Sequence, residues 1–389
     1  MRRPIPCLFP FAMVTVAACV VEAGTLEVGP GRKFARPSEA IGAAKDGDVV
    51  EIDSAGSYGG DVSTIRANRL TIRGVGAGRV KLPAEGHHAG GKAIWVAAGD
   101  DLTVEDIEFS GCRVPDRNGA GIRVEGANLT VRGCRFYDCE NGMLGGKKGT
   151  LLIEHCEFDH CGPVAEPATH SCYISADRLI FRHNYSTFTH EGHLLKTRAK
   201  ESWILYNRMT DERGTGSAVI DIPDGGVAIV VGNVLHKGPE AQNTRVVAYG
   251  MEGIKHGRNA LYVVNNTMVY ENRRRTSWFV RAENVPEGFV PVIRNNLCIG
   301  PIPLTNHPKA EEAGNIVLQS VAEARLADPA RYDYRLQAGS PAIDKGVEPG
   351  KAGEISLKPG FQYVHPAKGE KRPDDGKIDV GAYEFAKGK

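Results

Sequence analysis

The strongest constraint on this chain is a short apolar run that ends in a turn residue and returns every 22 to 33 positions. Its copies read Leu102-Thr-Val-Glu-Asp-Ile, Leu129-Thr-Val-Arg-Gly-Cys, Leu151-Leu-Ile-Glu-His-Cys, Leu179-Ile-Phe-Arg-His-Asn, Ser202-Trp-Ile-Leu-Tyr-Asn, Ala228-Ile-Val-Val-Gly-Asn, Leu261-Tyr-Val-Val-Asn-Asn and Pro291-Val-Ile-Arg-Asn-Asn. Leu70-Thr-Ile-Arg-Gly is a weaker first copy. One such unit cannot bury its own apolar face, so each must stack on the next, which winds the chain into an all-β solenoid.

A length of 389 residues would suit two ordinary domains, but a repeat running unbroken from about 70 to 300 argues for one elongated domain. The 47 glycines and 22 prolines suit a turn-rich β protein. A net charge of +1 excludes a strongly basic nucleic-acid binder, so any charge logic must be local. After the N-terminus no second apolar span is long enough to cross a membrane. Arg2 and Arg3, the apolar stretch from Cys7 to Val21 and the small-residue site Val21-Glu22-Ala23 read as a signal peptide over 1–23. The mature domain then covers 24–389, with a cap at 24–60, coils at 61–300 and an irregular closing segment at 301–389. The expected location is secreted or periplasmic; Val16-Ala17-Ala18-Cys19 offers the alternative of a lipoprotein anchored through Cys19.

Seven cysteines follow Ala23. Aligning the runs puts Cys134 and Cys156 at one turn position and Cys112, Cys139 and Cys161 five residues later, so stacked small apolar thiols are preferred over a catalytic or metal-binding role. Asn184, Asn207, Asn233, Asn266 and Asn296 end their runs at one register. They are expected to form a structural ladder at a turn that tolerates left-handed backbone.

Before the repeat, Pro37 and Ser38 can open a short helix with Ala40, Ile41 and Ala44 on its apolar face, and Asp46-Gly47-Asp48 turns the chain into a strand. This stretch, with Ser57-Tyr58, resembles the N-terminal cap of right-handed parallel β-helix proteins of the pectate-lyase-like superfamily. Tyr334-Arg-Leu-Gln-Ala-Gly-Ser-Pro-Ala-Ile-Asp-Lys-Gly and Ile378-Asp-Val-Gly-Ala-Tyr-Glu are similar to a closing signature of secreted bacterial β-helix proteins. The resemblance implies a single-stranded right-handed parallel β-helix with an N-terminal capping helix. It says less about activity, because that superfamily hosts lyases, hydrolases, epimerases, esterases and adhesins.

Counting back six residues from each run aligns a second strand and puts Arg123, Tyr173, Lys196 and Asp221 in one outward column, with Glu125, Ser175 and Arg198 two residues further on. Coils lie about 4.8 Å apart, so side chains at one register can touch. Three residues earlier His170 aligns with His193, and His190 follows in the preceding loop. Outward residues of a β-helix are polar by default. What sets this patch apart is its mixture of proton-transfer groups with an arginine fork.

A groove holding cations and proton-transfer groups suits an acidic polysaccharide or oligosaccharide. Elimination at a uronic acid needs a cation on the carboxylate, a base for the C5 proton and an acid for the leaving oxygen. Arg198 is the expected carboxylate clamp, Lys196 or His193 the base, and Tyr173 or His170 the acid, with His190, Arg123, Asp221, Tyr206 and Tyr249 as substrate-binding residues. The arrangement is similar in spirit to the alginate-lyase and chondroitinase group of polysaccharide lyases, although Lys196 and Arg198 share one strand and that group's full motifs are missing. No cofactor is required and no metal residue is assigned; Ca2+ at Asp221, Asp224 and Glu125 is an optional occupant. The expected protein is a monomeric lyase. The alternatives are a glycoside hydrolase, a uronate C5-epimerase, or a non-catalytic carbohydrate-binding surface protein with Tyr173, Tyr206, Tyr249 and Trp278 as platforms.

Overall fold

The computed structural model describes residues 23–163 and 168–386. The expected signal peptide, including Cys19 of the alternative lipobox, lies outside the described residues apart from Ala23. Among the described residues, no helix is long and apolar enough to cross a membrane.

Three parallel sheets of 12, 10 and 9 strands run the length of the molecule, and neighbouring strands in each come from successive coils. The apolar runs form the 12-stranded sheet. Leu102, Leu129, Leu151 and Leu179 pair in register and point inward, one per coil, while Thr103, Thr130, Leu152 and Ile180 point outward. A column of phenylalanines fills the interior from the 10-stranded sheet: Phe109, Phe136 and Phe158 stack at 5.3 and 4.9 Å between ring centroids, and Phe181 of the 12-stranded sheet meets the end of the stack at 5.8 Å. Burial of such columns is the main favourable term of the fold, and the period-two pattern of each strand decides which residues share in it.

The coils extend further than the repeat suggests. Thr25–Val28 already pairs with Val49–Asp53, and the capping helix Pro37–Ala43 is the connection between these two strands, with Ala40 and Ile41 buried at the end of the core. At the other end Glu311–Ala313 and Ile316–Leu318 add strands beyond residue 300. The strands at 25 and 49 lack the Gly-Cys or Asn-Asn ending by which the repeat is recognised, so they are not visible as copies.

The corner between the 12- and 10-stranded sheets repeats one device. A residue in the left-handed region turns the chain at Asp106, Gly133, His155, His183, Tyr206, Gly232, Asn265 and Asn295. The next residue points into the core. The ladder asparagines are therefore not the left-handed residues; each follows one. Asn184, Asn207, Asn233, Asn266 and Asn296 are fully buried. The Oδ1 of each of Asn207, Asn233, Asn266 and Asn296 accepts both the backbone N–H and the Nδ2–H of the asparagine one coil earlier, at 2.9–3.1 Å. Asn315 ends the series. Cys134 and Cys156 occupy the same position in earlier coils, and Cys156 N–H donates to Asn184 Oδ1. All seven described cysteines are unpaired and buried; burial pushes Cys112 to about 12 and Cys156 well above the usual thiol range, as expected for packing thiols.

The closing segment docks on this corner. Asn265 Nδ2 donates to the carbonyls of Asp379 and Gly381, and Asn295 is bridged to Val347 through both its amide atoms. Replacing Asn233 by Ala removes the acceptor for Asn207 and three donated bonds within a closed core. Loss of roughly 3 kcal/mol is expected in chemical denaturation, because buried groups are left unpartnered; a loss below about 1 kcal/mol would show the ladder to be ornamental.

Candidate active site

The 9-stranded sheet carries the outward column. Its register runs Arg123, Leu144, Tyr173, Lys196, Asp221, Ala248. One coil, Asn141–Gly145, separates Arg123 from the rest, so Arg123 stands two coils from Tyr173 instead of beside it. Gly142, Gly145 and Gly146 hide that coil from an apolar pattern. Tyr173, Lys196 and Asp221 are direct neighbours, and their surroundings are dense.

Arg198 is held on three sides. Its Nε donates to the Tyr173 hydroxyl at 2.6 Å, Nη1 pairs with Asp224, and Nη2 reaches Glu252 at 2.5 Å. Lys196 Nζ lies 2.8 Å from Glu252 and 3.7 Å from Asp221, over the Tyr173 ring. Lys255 adds a second cation to Asp224 at 2.7 Å. Burial pushes the Asp221 carboxyl up to about 6 against the pull of Lys196, and one of its oxygens, Oδ1, has no hydrogen-bond partner. Burial acts in the same direction on Glu252, but hydrogen bonds from Lys196 and Arg198 outweigh it and hold the group down at about 2.

The two histidines form a ladder of their own. Asn141 Oδ1 accepts the His170 N–H, His170 Nδ1 accepts the His193 N–H at 3.0 Å, and His193 Nδ1 accepts the Ala218 N–H at 2.9 Å. The imidazoles stack at 4.9 Å. Each Nδ1 lone pair is thus used by a backbone donor, which leaves the ring hydrogen on Nε2, and His193 Nε2 lies 3.4 Å from Asp221. Burial, reinforced by Lys196 and Arg198, lowers His170 to about 3; burial likewise takes His193 well below its ordinary value, with His170 and Lys196 adding to it. Both rings are neutral Nε2–H donors at physiological pH.

The other substrate-binding expectations do not converge here. His190 packs on His160 in a neighbouring corner. Tyr206 occupies a left-handed corner position and lies between His183 and Phe361 of the closing segment. Tyr249 is fully buried, stacked on Phe289 with its hydroxyl bonded to the Gly226 carbonyl. Residue type alone suggests an aromatic platform at both positions, but strand alternation turns Tyr249 inward and a sheet corner carries Tyr206 to another face. The optional calcium donors also stay apart: Glu125 pairs with Lys92, while Asp221 and Asp224 are engaged by protein cations. Among the described residues, no group of three or more His, Cys, Asp or Glu is arranged to hold a metal. Glu252 and Lys255 escape a strand-register argument, since both sit in the loop after Val247–Tyr249.

A family model for the right handed beta helix region matches residues 58–273, more than half of the chain, and the chain belongs to that family. Its architecture is a right-handed parallel β-helix. Among solved structures it is similar to pectate lyase Pel9A, with a TM-score of 0.63 and 14% identity over 93% of this chain and 96% of that one. An alginate lyase from Paenibacillus sp. str. FPU-7 gives a TM-score of 0.42 and 12% identity over 76% of this chain and 99% of that one. Geobacillus virus E2 ORF18 gives 0.38 and 14% over 74% and 58%. No curated protein matches the chain. At 14% identity the likeness to pectate lyase Pel9A is one of fold.

The neutral His170 has a consequence for stability. An unfolded chain takes up a proton at this position near pH 6.5, whereas the folded protein resists until about 3, so this contribution is full above pH 6.5 and is lost as pH falls between those values. Asp221 works in the opposite sense, since its raised carboxyl accepts a proton sooner in the folded state. In His170→Asn, which offers an acceptor but cannot ionise, denaturation stability is expected to fall less steeply from pH 6.5 toward 4. Identical slopes in the two proteins would remove His170 from the account.

Proposed function

We propose that this protein is a lyase that cleaves a uronic-acid polysaccharide by β-elimination, acting outside the cytoplasm as its targeting segment implies. The observation that carries the reading is the packing of Tyr173, Lys196 and Arg198 at one place on the outer face of the 9-stranded sheet, with the Arg198 guanidinium on the Tyr173 oxygen and Lys196 over the ring.

The division of labour follows from which atoms are free. His193 has no lone pair to take a proton, because Ala218 N–H occupies Nδ1 and the hydrogen sits on Nε2. Lys196 is then the base of the site: a cation against Glu252 in the resting protein, it takes the C5 proton of the uronate as the neutral amine once it has released a proton to solvent. Arg198 clamps the carboxylate and stabilises the negative charge that develops on it as the C5–H bond breaks. The C4–O bond then breaks as the C4–C5 double bond forms. Because the Tyr173 oxygen accepts from Arg198 rather than donating to it, its own O–H remains available to protonate the departing oxygen. The proton lost at C5 and the proton gained by the leaving group balance, and no water is consumed. His170 and His193 act as fixed neutral donors behind Asp221 and Lys196. No step requires a metal.

The test is a panel of uronic-acid polymers followed by the ultraviolet absorbance of a new unsaturated uronate. Absorbance is expected to appear with at least one polymer, and Lys196→Ala and Arg198→Ala are each expected to lower kcat about 100-fold or more. Reducing ends accumulating without unsaturation would replace elimination by hydrolysis. Full activity in both folded variants would make the column a solvated face.

A further inference from the structure

The cations of the column already hold a carboxylate. Glu252 Oε1 takes Lys196 Nζ at 2.8 Å and Oε2 takes Arg198 Nη2 at 2.5 Å, one oxygen to each cation. This is the bridging geometry that a substrate carboxylate clamped by the same pair would adopt. We propose that Glu252 is a resident stand-in for the substrate carboxylate, an internal competitor that blocks the cation pair until the carboxylate of an acidic sugar displaces it. The inference rests on the reading of the column as a uronate site and adds how that site selects its ligand.

Three observations favour displacement of Glu252 over a fixed structural pair. Its side chain is 43% exposed, whereas the second acid on Arg198, Asp224, is 9% exposed and is held by Lys255 as well. Glu252 is thus the member of the network with open solvent to move into. The backbone that carries it does not need to open: Gly250 N–H donates to Ile222 O, Glu252 N–H to Pro223 O and Lys255 N–H to Asp224 O, at 2.8–3.1 Å. Gly226 N–H is held by Asn259 Oδ1 at the far end of the same loop. Release is therefore a rotamer change on a pinned loop, which is fast and involves little reorganisation. Finally, without Glu252 the two cations would be left with only Asp221, 3.7 Å from Lys196, and Asp224 to compensate them.

Selectivity follows from the exchange. A ligand carboxylate replaces one charge-assisted pair of hydrogen bonds by another, so the network stays satisfied when Glu252 swings out. A neutral sugar offers no such replacement and would leave Lys196 and Arg198 short of an acceptor, so Glu252 stays in place. The cost is a reduced apparent affinity, because binding-competent protein is only the fraction in which Glu252 is out.

Calorimetric titration of the full chain with D-galacturonate, D-glucuronate and, as neutral control, D-glucose reads this directly and needs no turnover. The expected result is that Glu252→Gln binds at least one uronate about 10-fold more tightly than the wild type, with no binding of glucose to either. Glu252→Ala is expected to give the same ranking, and thermal melts of both variants establish that they are folded. Equal or weaker uronate binding in both folded variants overturns the proposal, as does an absence of uronate binding to all three proteins. Tightening without elimination of any polymer would keep the stand-in role and discard the lyase. Elimination with unchanged uronate affinity in the variants would keep the lyase and discard the stand-in.

Discussion

The structure depends on one interaction made repeatedly: a buried side-chain acceptor that takes the backbone N–H of the preceding coil at a left-handed corner. In the asparagine series the amide oxygen does this and the amide nitrogen closes the next bond. A buried backbone N–H without a partner would be costly, and a corner has no ladder neighbour to supply one. The asparagines therefore lock each coil to the next at one register. Because side chains in a strand alternate with period two, a slip of one residue would exchange inside for outside along the whole coil. The corner ladder thereby protects the outward column as well as the core.

The same device recurs at the third sheet with a different chemistry. There Asn141, His170 and His193 form the series, and imidazole Nδ1 replaces the amide oxygen as acceptor. A structural rung and a functional group are then one residue. Locking Nδ1 fixes the tautomer, burial keeps the rings uncharged, and Nε2–H of His193 is aimed toward Asp221 at 3.4 Å. Much of the electrostatic character of the site follows: neutral donors behind, a carboxyl raised to about 6 in the middle, and two cations paired at the front.

Outside the site, charge is arranged more plainly. On the outer face of the 12-stranded sheet Glu105, Arg132, Glu154 and Arg182 alternate in register and pair across coils. Each pair there is satisfied by its neighbour, as in a ladder of ions with modest individual worth. The network around Arg198 differs in drawing both its acids from turns between strands, and Glu252 is the exposed one of the two.

Periodicity along the chain is enough to specify the solenoid, the stacked thiols, the asparagine ladder and the shared register of Tyr173, Lys196 and Asp221. Where the repeat is interrupted, that legibility ends. The glycine-rich coil Asn141–Gly145 separates Arg123 from the column, and the first coils begin at Thr25 without a ladder residue to mark them. The tertiary structure alone decided what fills the space between columns. Glu252 lies 56 residues from Lys196 in sequence, on a loop whose path no strand period describes. Tyr249 turns into the core and Tyr206 goes under the closing segment, since burial follows the side on which each backbone position faces and not the residue type. The histidine tautomer also belongs to the structure, because it is set by a backbone N–H from the next coil, a contact that exists only once the coils are stacked.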